Sequence, residues 1–363
     1  MTTPPRAVPP APSVPPVPSG PAMPPEAPTT AVTHAVGLDP QAGLGALSVW
    51  TERTAGAGED ADPLVLHHLP SRTGLVAVFD GAGGAGSGPS WTNGRGLSRS
   101  GAWTGSRVAR LAVELWFRDC VEHHRPPEAR VLEDRLREVL DAARPAVRSK
   151  VVGTMRRQLP TTMAAIRYRI GDTGVSVRTL WAGDSRAYVL TPSEGLQVLT
   201  RDHTDETDAL AQLIQDPPMT NMVCADRPFR VESHAVPLNG PCVLLCATDG
   251  FFGYLWTPGD FESVLLESLQ KSSDEADWAA RLSRKVEQYT ADDASLALVT
   301  IGFSDFRELC ERFRDRYRRS RERYRGMPDF SDAQALRHWR EQDWLRYRTE
   351  YERHMPEAGE VAE

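Results

Sequence analysis

The sequence predicts an α+β protein in which antiparallel sheets are covered by helices, not an alternating parallel α/β fold. Three observations carry this expectation. Short apolar and β-branched runs follow one another with only turns between them, as from residue 162 to residue 200. Helical periodicities are inserted as pairs between those runs, instead of singly after each strand. Finally, 363 residues with 25% charged and 40% hydrophobic content make a globular chain, long enough for one large core with appendages.

The elements follow in order. Residues 1 to about 40 begin with 12 of the 29 prolines inside the first 28 positions. Such a stretch buries too little apolar surface to offset ordering entropy, so a disordered, polyproline-leaning tether is expected. The domain then spans 41–303. Strands are expected at 46–51, 64–69 and 75–79, the last running into the glycine-dense turn DGAGGAGSG. Val108, Leu111, Ala112, Leu115 and Trp116 repeat at helical spacing, as do Leu132, Leu136, Val139, Leu140 and Ala143. Four strands come next, at 162–170, 175–182, 187–190 and 196–200, with turns at Gly171-Asp172 and Gly183-Asp184. A weak helix at 207–215 precedes the irregular DPPMTNMVCADRPF, then strands at 230–236 and 242–248. Helices near 258–269 and 275–289 lead to a last strand, 295–303. After Ser304 come two helices, with stripes Phe306, Leu309, Cys310, Phe313, Tyr317, Tyr324 and Leu336, Trp339, Trp344, Tyr347, Tyr351. This Arg-rich extension covers 304–355, and a disordered tail is expected over 356–363. The stripes either pack on the domain or dock a partner; packing is the expectation.

Composition excludes several classes. Five cysteines, odd in number and never spaced C-x-x-C, argue against a disulfide framework or a thiolate zinc site. No apolar run approaches the roughly 20 residues of a membrane span, and no secretion signal opens the chain, so a cytoplasmic protein without membrane attachment is expected. Net charge is −7. The stretch 305–353 carries 14 arginines against 11 acids, so the acidic excess lies in the body. An acidic body is a poor nucleic-acid partner and suits a site built from carboxylates.

Four acidic turns adjoin apolar strands: Asp80-Gly81 after LVAVF, Asp184 after TLWAG, Asp249-Gly250 after CVLLCAT, and Asp292-Asp293 before ASLALVTI. Glu59-Asp60 precedes the first long strand pair. A carboxylate at a strand end is rigidly held yet reachable by solvent. Each alone reads as a turn residue. Several that converge repel one another and raise their pKa values or require a cation, for which Mg²⁺ and Mn²⁺ are suited by their preference for oxygen ligands.

In order and spacing this set resembles the metal-dependent type-2C serine/threonine protein phosphatases, bacterial branch, over residues 47–303. The matching stretches are GEDA (58–61), VFDGAGG (78–84), TT (161–162), WAGDSRAYVL (181–190), LTRDHT (199–204), LLCATDG (244–250) and DDASLALV (292–299). The resemblance implies a four-layer αββα sandwich of two antiparallel sheets flanked by helix pairs. It implies hydrolysis of phosphoserine and phosphothreonine in phosphorylated proteins, the substrates of Ser/Thr kinases, by a metal-activated water between two Mg²⁺ or Mn²⁺ ions. Asp80 would bridge both ions, the Gly81 carbonyl would bind one, and Asp249 and Asp292 would ligate the other. Glu59 and Asp60 would orient metal-bound waters, and Asp184 would help hold a third ion, with Arg186 a structural ion-pair residue. The chain departs from the family pattern at Ala55, where a phosphate-holding Arg is usual; Arg53 is the nearby substitute. Gly58 replaces an Asn, and Gly253 replaces an Asp that bears on the third ion. These departures motivate an alternative, a catalytically weak module that binds phosphoproteins or a regulatory partner. The glycine-rich DGAGGAGSGPSW lacks the Lys-Ser/Thr of a phosphate loop. Cys242 and Cys246 read as core residues.

Overall fold

The computed structural model describes residues 32–39, 43–92, 96, 98–144, 156–215, 217–329 and 331–357. Residues 1–31 and 40 of the expected N-terminal tail and 358–363 of the expected C-terminal tail lie outside the described residues. The chain opens with β1 (Val32–Asp39), β2 (Leu44–Thr51), β3 (Leu64–His68) and β4 (Thr73–Val78), then a short α1 (Gly83–Gly86). A hairpin of β5 (Pro89–Thr92) and β6 (Ser98–Ser100) leads into α2 (Gly101–Glu122) and α3 (Ala129–Ala142). Next come β7 (Met163–Ile170), β8 (Val175–Ala182), β9 (Arg186–Thr191), β10 (Gly195–Val198) and α4 (Ala209–Gln215). β11 (Glu232–Leu238), β12 (Cys242–Ala247), α5 (Asp249–Phe252), α6 (Pro258–Gln270), α7 (Glu275–Val286) and β13 (Ala294–Ile301) complete the domain. α8 (Phe306–Arg323) and α9 (Ala333–Tyr351) form the extension.

Two antiparallel sheets result, with strand orders β1-β2-β13-β12-β9-β10 and β11-β8-β7-β4-β3. Alternation along each strand feeds two cores at once. In β12, Cys242, Leu244 and Cys246 face the space between the sheets, while Val243, Leu245 and Ala247 face the helices. In β4, Val76 and Val78 point between the sheets and Leu75 and Ala77 point to α2 and α3. Strands buried on both faces read as unbroken apolar runs, which is why LVAV and CVLLCA look alike in sequence. The layers are therefore α2 and α3, one sheet, the other sheet, and α6 and α7 with the extension, as the α+β sandwich expectation required.

α8 and α9 supply Leu309, Phe313, Trp344, Tyr347 and Tyr351 to the core outside the first sheet. Burying side chains of this size stabilises by about 1.5–3 kcal/mol each. An ion pair locks the junction: Arg316 on α8 donates from Nη2 to Glu262 Oε2 on α6 at 3.0 Å, and Tyr347 on α9 donates to the same carboxylate at 2.6 Å.

Several features depart from the sequence expectations, among them the short helices α1 and α5 in stretches read as turns. β1 lies within the stretch expected as tail, because its pairing comes from the edge of β2 (Val36 opposite Ala46) and not from its own composition. The β5–β6 hairpin occupies GSGPSWTNGRGLSRS, where polar and glycine residues leave no periodicity to read. α4 starts at Ala209, two residues later than expected, because Asp208 accepts from the Leu210 and Ala211 amides and so caps its start.

Candidate active site

Strand register brings the acidic turns to one rim. Pairing of Ala294 with Thr51 sets the Asp292-Asp293 turn beside the chain leaving β2. Pairing of Ala247 with Leu296 sets Asp249 beside the same turn. Val78 opposite Ala164 and Met163 opposite Ala182 put Asp80, the Thr161-Thr162 pair and Asp184 on neighbouring strand ends of the second sheet. The two rims face each other across the cleft.

Polar contacts then fix each loop. Asp60 is buried and its Oδ2 accepts from Ser295 Oγ (2.7 Å) and Thr248 Oγ1 (3.1 Å), both on the opposite sheet. Asp293 accepts from the Glu59 amide (2.6 Å) and the Arg53 amide (2.8 Å), tying β13 to the 52–60 loop. The Asp80 carbonyl accepts from Thr162 N (2.8 Å) and Thr161 Oγ1 (2.6 Å), which leaves its side chain to the cleft. Two glycines are demanded by close approach. A Cβ on Gly81 would lie 2.5 Å from the Glu59 carbonyl oxygen, and one on Gly250 would overlap the Asp293 carbonyl oxygen.

The electrostatics locate the centre of the cluster at Asp80. Burial pushes its carboxyl well above the usual carboxylate range, and Asp60, Asp249, Asp184 and Asp292 each push it further. Burial and then Asp293 raise Asp60 to about 8, against hydrogen bonds from Ser295 and Thr248. Asp184 is raised by burial, then by Asp249 and Asp202. Glu59 is raised by burial, with Asp293 and Asp292 adding to it against the hydrogen bond from Ser100. Each predicted carboxylate thus feels at least one other of the cluster, although they come from five separate turns.

The donor set suits hard divalent cations. It is all oxygen, its charges repel, and among the described residues Asp184 Oδ1 is buried with no hydrogen-bond partner. Among the described residues no group of three or more His, Cys, Asp or Glu side chains stands close enough together to hold a metal ion by itself.

The predicted residues outside this cluster have other surroundings. Arg53 is exposed, and it is its backbone amide that donates to Asp293 Oδ1. Arg186 is the buried partner of Asp202 at 2.7 Å. Sequence reasoning passed over Arg99, Arg107 and Trp103. Arg107 donates to the Glu59 and Gly58 carbonyls at 3.2 and 3.3 Å and lies 4.1 Å from the Trp103 ring; burial lowers its pKa to about 10. Arg99 lies 5.1 Å from the same ring and donates to the Gly56 carbonyl. These residues come from β6 and α2, and nothing near them in the sequence carries a readable motif. Only Asp293, in the Asp-Asp pair, offered a signal.

The family pattern for protein phosphatase 2C matches residues 59–300. Solved structures similar over most of the chain include a bacterial serine phosphatase at 15% identity, covering 76% of this chain and 98% of that one, TM-score 0.49. Others are the Mycobacterium tuberculosis serine/threonine phosphatase PstP/Ppp (14% identity, 71% and 99% covered, TM-score 0.48) and the Staphylococcus aureus serine/threonine phosphatase Stp1 (14%, 76% and 96%, 0.47). No curated protein sequence matches the chain.

Proposed function

The chain belongs to the protein phosphatase 2C family, whose members are metal-dependent phosphoprotein hydrolases, and from that premise we propose that it removes phosphate from phosphoserine and phosphothreonine in proteins. The observation that carries the reading is the gathering of Asp60, Asp184, Asp249 and Asp292 around Asp80 at one sheet rim. In this reading Asp80, the Gly81 carbonyl, Asp249 and Asp292 would hold two Mg²⁺ or Mn²⁺ ions, and Asp184 would help hold a third. Glu59 and Asp60 orient water at the site. When bound, the cations supply Lewis-acid polarisation of the phosphoryl group, acidify water and reverse the sign of the cleft for an anionic substrate.

The rest is done by the chain itself. Asp292 is exposed and Asp80, Asp184 and Asp249 are half-buried, so the rim is open to a protein substrate while Asp60 beneath it stays rigid. The cations bordering the 52–62 loop include Arg53, Arg99, Arg107 and Arg110. Arg107 and Arg110 spend donors on loop carbonyls and Arg99 gives one to the Gly56 carbonyl, which leaves Arg53 and the remaining donors of Arg99 to contact phosphate. A thiolate nucleophile is disfavoured, because burial raises the pKa of all five cysteines, Cys310 to about 11 and Cys242 to about 12. Among the described residues no helix is long and apolar enough to cross a membrane, and we place the reaction in the cytoplasm, on proteins phosphorylated by Ser/Thr kinases.

The test is hydrolysis of p-nitrophenyl phosphate and a phosphothreonine peptide with Mn²⁺, abolished by EDTA. Asp80→Asn and Asp249→Asn are each expected to remove turnover while the far-UV dichroism is retained. A folded wild-type protein without Mn²⁺-dependent turnover overturns the reading.

A further inference from the structure

Two stretches flank the carboxylate cluster without belonging to it. The His203 amide donates to the Gly183 carbonyl at 3.1 Å, and the Gly183 amide donates to His203 Nδ1 at 3.0 Å, so residues 202–204 are strapped to the turn that carries Asp184. The Thr161 amide donates to the Val223 carbonyl at 2.9 Å, and Thr161 in turn holds Asp80. Between these straps lies α4, a helix of seven residues that buries only Ala209 and Leu210 and leaves Ile214 70% exposed. A helix so short has little stability of its own. Its place must be set by contacts from outside.

Those contacts come from α9. Asp208 divides its carboxylate between two helices. Oδ1 accepts from the Leu210 and Ala211 amides at 3.1 and 3.0 Å, while Oδ2 accepts from Trp344 Nε1 at 3.1 Å and Arg348 Nη1 at 2.9 Å. One turn further along α9, the Tyr351 hydroxyl lies 3.4 Å from Arg186 Nη1. Arg186 is buried, donates to Asp202 and to Gln212 Oε1 on α4 (2.8 Å), and lies 4.4 Å from the ring of Phe252, three residues after Asp249. A single helix from the extension therefore touches both the start of α4 and the arginine that ties α4 to the turn of Asp184.

We propose that α9 is a positioning element for the active site, with Trp344, Arg348 and Tyr351 as positioning residues that hold α4 and the Asp184 turn against the cleft. The consequence for substrate rests on the phosphatase reading. A phosphoprotein large enough to lie over α4 depends on the clamp, and a small aryl phosphate does not.

The test compares the full chain with the Trp344→Phe/Arg348→Ala variant, which removes both bonds to Asp208 and keeps an aromatic ring in the core. Amides of α4 are expected to exchange about tenfold faster, the size set by losing one or two hydrogen bonds, with β13 unchanged. With Mn²⁺, KM for a phosphothreonine peptide is expected to rise several-fold while kcat for p-nitrophenyl phosphate stays within about twofold. Arg348→Lys alone is expected to recover part of the peptide KM. Unchanged α4 exchange in a folded variant overturns the proposal, and so does a proportional loss on both substrates with faster exchange throughout. If the double variant does not fold, Tyr351→Phe, which deletes one hydroxyl, is read by the same two measurements. Should the wild type turn over neither substrate, the phosphatase reading fails and the exchange arm alone decides the clamp.

Discussion

Replacing Arg316 with Ala should cost more stability than any substitution on the outer faces of α8 and α9. Arg316 is 7% accessible at its side chain and Glu262 is 0% accessible. Burial disfavours the guanidinium charge, but the hydrogen bonds and attraction of Glu262, helped by Glu350, hold its pKa above the ordinary value. The alanine variant leaves the Glu262 carboxylate buried with only Tyr347 and a 3.5 Å approach of the Leu196 amide to satisfy it. Breaking a buried pair in this way costs about 3–5 kcal/mol, whereas removing both charges together is often close to neutral. Arg316→Met/Glu262→Gln is therefore expected to recover most of the loss, a coupling of about 2–3 kcal/mol between residues 54 positions apart. Urea unfolding at unchanged m-value measures both variants. A single variant within about 1 kcal/mol of wild type, or a double variant that is merely additive, would refute the burial argument.

Gly250→Ala is expected to lose about 1–3 kcal/mol and to weaken Mn²⁺ activation, since its methyl group meets the Asp293 carbonyl; calorimetric Mn²⁺ titration reads this directly. His203 Nε2 lies 3.2 Å from Glu232 Oε1, and this contact, with burial opposing it, lowers the Glu232 pKa from the ordinary 4.5. A depressed carboxylate stabilises the fold above its unfolded pKa, and that contribution is lost as pH falls through the folded value. Glu232→Gln should thus be less stable than wild type at pH 7, with the gap closing in urea melts below about pH 4. Truncation after Phe303 removes Leu309, Phe313, Trp344, Tyr347 and Tyr351 from the core and is expected to give aggregated protein; soluble protein with raised turnover would instead assign α8 and α9 to shielding the cleft.

Much of the fold was legible because its strands are buried on both faces. LVAV, CVLLCA and ASLALVTI stand out as apolar runs bounded by Asp and Gly, and α3, α7 and α8 show their stripes plainly. β1 and the β5–β6 hairpin were not legible, since their order comes from a partner strand and not from their own periodicity. The same holds at the site. Asp60, Asp80, Asp184, Asp249 and Asp292 could be named from turn chemistry and resemblance. Asp293 could not be separated from Asp292, because adjacent residues with identical side chains differ only in which way the backbone turns them.

The local code therefore determined which segments are strands and which carboxylates end them. Only the tertiary structure decided that Asp80 stands at the centre of that cluster, that Arg99 and Arg107 reach its loop from β6 and α2, and that α9 holds α4 through Asp208 and Arg186. The division has a physical cause. Periodicity and turn preference act over a few residues and survive in any window of sequence, whereas a hydrogen bond between residues 140 positions apart exists only after the sheets have paired and brought the two ends together.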